Sequence, residues 1–185
     1  MRFLRFLRIF LPVLVVAAIV AGVVVVLSSR SELQTARHRV DDTWTPLRTA
    51  LDPRYQALAT ANDAVRATPG PIHQIVVEID RANRDWTNLE ANSASVASQV
   101  TAANRLEALG RRLVAAARLA PRLAGKPALA SVNAFAALAP PKTVAREFAA
   151  AVSRYERERD RPARRLAADI LGYKAVPAYD ASGSA

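Results

Sequence analysis

With 185 residues, no cysteine and a formal net charge of +10, the chain has room for one anchor and one ordinary domain, and it excludes disulfides, Cys-ligated zinc, iron–sulfur clusters and thiol catalysis. Ala, Leu, Arg and Val dominate and aromatics make up 6%, which favours helices packed through small and aliphatic residues over a β-sandwich. Arg2, Arg5, Arg8 and Arg30 flank an apolar run and leave about +6 for the rest, scattered and not interleaved with aromatics, so nucleic-acid binding is not expected.

The first eight residues alternate cations with apolar side chains, and Ile9 to Leu27 then pass without a charge. As a helix those nineteen residues span about 28 Å, close to the ~30 Å hydrocarbon core of a bilayer. The sequence therefore predicts a basic segment over 1–8 and a transmembrane helix over 9–27. The cationic N-terminus places the start of the chain in the cytoplasm and the remainder outside it, as a single-pass protein of the cytoplasmic (inner) membrane. A cleaved signal peptide would have a shorter apolar region and a better small-residue site than Val26-Leu27-Ser28.

Beyond the anchor, Leu33, Arg37, Val40, Trp44, Leu47, Leu51, Tyr55 and Leu58 recur at steps of three and four, the spacing of one helical face. Pro46 and Asp52-Pro53 predict that this helix is bent or broken, and Thr68-Pro69-Gly70-Pro71 predicts a tight connection to the next. Ile72, Ile75, Ile79, Ala82, Trp86, Leu89, Val96 and Val100 continue the spacing, and Leu106, Leu109, Leu113 and Ala117 resume it after a register shift. The Asn-, Ser- and Thr-rich stretch 91–104 lowers helix propensity and leaves open both a break and one long helix. Pro121 and Gly125-Lys126-Pro127 make a turn before a short helix carrying Leu129, Val132, Phe135 and Leu138, which Pro140-Pro141 ends. In the last stretch Val144, Phe148, Ala151 and Tyr155 share a face, mixed charges run from Arg154 to Arg165, and Leu166, Ile170 and Leu171 resume the apolar face after Pro162. Residues 177–185 read as a flexible tail. The fold class is all-α: an N-terminal transmembrane helix followed, over 31–176, by an antiparallel bundle of three to four long helices.

No residue pattern calls for catalysis, a cofactor or a metal. Neither His38 nor His73 has a second histidine one helical turn away, the Glu-x-x-His pairs of di-iron bundles are missing, and no phosphate-cradling glycine loop or nucleophile elbow is present. Asp41-Asp42 and Glu78-x-Asp80 occupy diverging helix positions and read as solvated surface. Trp44, Trp86, Tyr55 and Tyr155 are expected to anchor the core. Arg157, Arg159, Arg164 and Arg165 form the one candidate interaction surface, a mixed-charge helix face that could meet anionic lipid or cell-wall polymer.

Arg37-His38-Arg39-Val40-Asp41-Asp42-Thr43-Trp44, then Leu51 and Arg54-Tyr55, resemble the Arg-x-x-Val, acidic, acidic, small, Trp run and Arg-aromatic pair of the LemA family of bacterial membrane-anchored helical proteins. Ala108-Leu109-Gly110-Arg111, Pro121-Arg122-Leu123, Arg154-Tyr155 and the closing Gly172-Tyr173-Lys174-Ala175-Val176-Pro177-Ala178-Tyr179 are similar to later segments of that family. Ser31-Glu32, the stretch from Ala57 to Asn62, and Glu156 depart from it, as in a divergent member. The resemblance implies an anchored antiparallel helical bundle and carries over no catalytic residue. The expectation is a non-enzymatic interaction or scaffold protein of the cell envelope, engaging an envelope protein or a second copy of itself. The alternative is a module that binds anionic lipid or wall polymer.

Overall fold

The computed structural model describes the backbone of residues 2–139 and 142–180, and the side chains of residues 30–139, 142–162 and 164–180. All regular structure among them is helical: α1 (Arg2–Val65), α2 (Pro71–Ala91), α3 (Val96–Arg118), a single 3-10 turn (Pro121–Leu123), α4 (Pro127–Ala137), α5 (Lys142–Arg159) and α6 (Pro162–Leu171). The side chains of 1–8 and of the predicted anchor 9–27 lie outside the described residues. Among the described residues, no helix is long and apolar enough to cross a membrane.

The first correction is that, of the bend or break expected at Pro46 and Pro53, the break does not occur: α1 runs unbroken through both. Each proline deprives the carbonyl four residues earlier of its N–H partner, at Asp42 and Thr49. All four residues are exposed, so water reaches the freed carbonyls. The opposite face buries Val40, Trp44, Leu47, Leu51, Tyr55 and Leu58, and that burial outweighs the two missing bonds.

Two compact units divide the chain: Met1–Arg39 with Ser153–Ala175, and Val40–Val152 with Val176–Ala185. In the larger unit, α1 turns into α2 at Gly70, whose φ of +92° suits a residue without Cβ, and Pro71 opens α2 where a missing N–H costs nothing. The stretch 91–104 holds a real break, four residues from Asn92 to Ser95, with Ser93 in the left-handed region and Ser95 capping α3 by accepting from the Ser98 N–H. It reverses the chain, because Glu78 pairs with Arg112 and Asp85 with Arg105, a step of two turns forward on α2 matched by two turns back on α3. Contacts from Arg66 to Asp80 and from Tyr55 to Trp86 make α1 and α2 antiparallel as well. Leu58, Ile79, Leu106 and Leu113 are fully buried in the resulting bundle. Against α3 lies α4: a Cβ built on Gly110 would come within 2.4 Å of the Phe135 ring, so the absent side chain is what lets α4 seat. Leu138 falls outside α4 and is 43% exposed, contrary to its expected place on that helix's apolar face.

The smaller unit is centred on Leu33, Tyr155, Ala167 and Ala168, all fully buried. A second correction lies here. Leu166 and Ile170, expected to resume the apolar face inward, are 65% and 64% exposed, while alanines form the inner face of α6. Gly172 ends α6 in the left-handed conformation at φ +74°.

Candidate functional sites

In the larger unit, α1 and α3 each bury one charged residue on a mainly apolar stripe that also holds one amide, Asn62 on α1 and Gln99 on α3. Arg54 follows Leu47 and Leu51, and Glu107 follows Ala103 and Leu106; both are buried. The guanidinium and carboxylate meet as a fork, Nε to Oε1 and Nη2 to Oε2, each 2.7 Å. Nη1 donates to the carbonyls of Phe135, at 3.2 Å, and Leu138, capping the end of α4, and the guanidinium lies 4.5 Å from the Phe135 ring centre. Burial by itself lowers the Arg54 pKa, but the hydrogen bonds to Glu107 and its charge outweigh that and leave the guanidinium raised, fully charged at any working pH.

The same carboxylate holds the end of the chain. Tyr179 donates its hydroxyl to Glu107 Oε1 at 3.2 Å, Asn104 brackets the backbone by donating to the Ala178 carbonyl and accepting from the Asp180 N–H, both at 2.8 Å, and Arg111 pairs with Asp180. Of the tail 177–185 read from the sequence, residues 178–180 make these contacts, and 181–185 lie outside the described residues. Asn104 acts here as a strand would, satisfying a carbonyl and an N–H of an extended segment at once.

Tyr55 and Tyr179 are both held above the ordinary phenol range, first by burial and then by neighbouring negative charge, that of Tyr179 and Glu107 on Tyr55 and that of Glu107 on Tyr179, which its hydrogen bond with Tyr55 pulls the other way. Their folded values exceed the unfolded value near 10, so the stabilisation is complete below about pH 10 and is lost as the pH rises past it. Above that point unfolding is expected to gain up to about 1.4 kcal/mol per pH unit for each of the two tyrosines. Alkaline denaturation followed by circular dichroism checks this; Tyr179→Phe should halve the slope contributed by the pair.

The expected core anchors sit as follows. Trp44 is 6.4 Å edge-on from Trp86 and 5.2 Å from Phe148, and its indole N–H donates to Gln99 Oε1 at 2.6 Å; Tyr55 packs on Trp86 at 5.2 Å. In the smaller unit Tyr155 is fully buried under Arg37, 5.8 Å from its ring centre, and donates to the Lys174 carbonyl at 2.8 Å. Burial raises the Tyr155 pKa, against the opposing pull of Arg37.

The four arginines proposed as one surface do not act alike. Arg159 pairs with Glu156 at 2.7 Å and Asp160 at 2.8 Å, and Arg164 pairs with Glu32 and Glu158. Arg157 and Arg165 are exposed. Next to Arg164, α1, α5 and α6 enclose an open cleft of about 490 Å³ lined by Arg39, Arg154, Arg161 and Arg164 with Glu32 and Glu158, a positive balance suited to an anion. Among the described residues no three metal-ligating side chains come together.

Arg54, Glu107 and the Asn104 bracket were not singled out from sequence. The available signal was one charge beside buried apolar positions on each of two helices, of opposite sign, which in a bundle asks for a partner. No protein family, curated protein or solved structure matches the chain.

Proposed function

We propose that the chain is a non-enzymatic interaction protein of the bacterial cell envelope, similar to LemA proteins, anchored by residues 9–27 as a single-pass protein of the cytoplasmic membrane with its helical bundle on the outer side. The observation that carries this reading is the uncharged run Ile9 to Leu27, continued by the same helix α1 as far as Val65. Such a run has the length of a bilayer core. The Arg54–Glu107 centre supports the non-catalytic part: its donors and acceptors are committed to one another, to the C-terminal end of α4 and to Tyr179, as in a device that stiffens a body.

Affinity purification of the tagged full-length protein from native membranes after crosslinking tests the reading. Recovery of a defined envelope protein, or of a crosslinked homo-oligomer, is the expected result. A protein that stays monomeric and brings down no partner counts against it. A second reading, contact with anionic lipid or wall polymer, is favoured by the exposure of Arg157 and Arg165.

A further inference from the structure

The exposed face of α6 combines two features that the rest of the described surface does not bring together on one helix. Leu166 and Ile170 lie four residues apart, one above the other, about 40° from each other around the helix axis. Both are roughly two-thirds exposed. On the same outer side stand Arg165 and, at the entry to the helix, Arg161, both exposed. Ala167 and Ala168 pack inward beside Arg164 and half-buried Leu171, and the outer side carries the aliphatic pair with two arginines and one carboxylate, Asp169. An aliphatic pair with a positive balance around it is the layout of a helix that lies along an anionic lipid surface.

The placement of α6 supplies the second argument. Arg164 ties it to Glu32 on α1, and Glu158 on α5 holds Arg164 and Arg161 from the other side. Glu32 is five residues past Leu27, the last residue of the uncharged run, so it stands about 7.5 Å along the helix from the edge of the hydrocarbon core. The headgroup layer is about 5–8 Å deep on each side of a bilayer. The helix is thus pinned at the depth where an amphipathic segment settles, and the arginine-lined cleft opens beside it.

We propose that α6 docks on the leaflet from which α1 emerges, with Leu166 and Ile170 among the upper acyl chains and Arg161 and Arg165 on anionic lipid phosphates. This rests on the reading of residues 9–27 as the anchor. A hydrated wall polymer offers phosphates but no apolar phase for the two aliphatic side chains, so the lipid accounts for both features and the polymer for one.

The absence of cysteine allows the test to be made on the full chain. Leu166→Cys, Ile170→Cys and, as a reference, Arg81→Cys on exposed α2 are each labelled with an environment-sensitive fluorophore and reconstituted into vesicles of mixed zwitterionic and phosphatidylglycerol lipid. Labels at 166 and 170 are expected to emit at shorter wavelength than at 81, to resist aqueous iodide, and to be quenched by a quencher carried near the headgroups. Adding Arg161→Gln or Arg165→Gln should shift the docked fraction about fivefold toward the undocked form at low salt, and high salt should mimic this. Labels at 166 and 170 that iodide quenches as fully as the label at 81 overturn the proposal. Protection without lipid quenching that disappears when the protein is diluted among vesicles also overturns it, in favour of a second copy on this face. Carbonate extraction separates the two readings: a protein that stays in the membrane with exposed labels sinks the docking of α6 alone, whereas one that is extracted sinks the anchor and the docking with it.

Discussion

Glu107→Leu is expected to destabilise the larger unit by about 3–5 kcal/mol. The substitution removes the carboxylate while leaving Arg54, 4% exposed, charged and without its fork partner. Most of that loss is the penalty of the orphaned charge and not the intrinsic worth of the pair, since two buried ions gain little over a well-packed apolar pair of similar volume. Arg54→Met combined with Glu107→Leu should therefore recover most of the stability, leaving as its residue the freed carbonyls of Phe135 and Leu138 and the hydroxyl of Tyr179. Denaturant unfolding of the full chain in detergent micelles measures all three proteins. A double variant as unstable as Glu107→Leu alone would contradict the account.

Trp44→Ala is expected to cost about 3–5 kcal/mol, the range for deleting a large buried aromatic. Trp44 sits where helices from three parts of the chain converge, touching Trp86 of α2 and Phe148 of α5 and donating to Gln99 of α3. The milder Trp44→Phe keeps most of the ring contact and leaves the buried Gln99 carbonyl without a donor, which should cost about 1–3 kcal/mol. The same variant leaves Trp86 as the chain's one tryptophan, so its emission reports the packing that Trp44 shields. Unfolding curves from that emission and from circular dichroism should coincide.

The helices were legible because apolar residues recur at three and four from Leu33 to Tyr155, and that period survives whatever the turns do. Prolines were read too strictly. The cost of Pro46 and Pro53 depends on whether the carbonyl each one frees faces water, a property of the tertiary structure that no local pattern contains. The direction of α6 was misread for a related reason. Leu166 and Ile170 define an apolar face, but a moment says which residues belong together and not whether protein or another medium covers them. The chain terminus was read as loose because it is small and polar, whereas its hold comes from Asn104 and Glu107, more than seventy positions upstream. The two buried charges were findable: Arg54 lies beside Leu47, Leu51 and Leu58, and Glu107 beside Ala103 and Leu106, where a charge asks for a partner.

Glu107 and Tyr179 are 72 residues apart in the chain, and this separation has a meaning in time. During synthesis α1, α2 and α3 are complete long before Tyr179 exists. At about 5–20 residues per second the carboxylate waits roughly 4–15 s for its last donor. The three-helix assembly therefore matures with one acceptor open and a vacant seat for the extended segment, and it closes only once Tyr179 has been made. A chain that stops short of Tyr179 lacks that closure, a difference that its helices alone would not reveal.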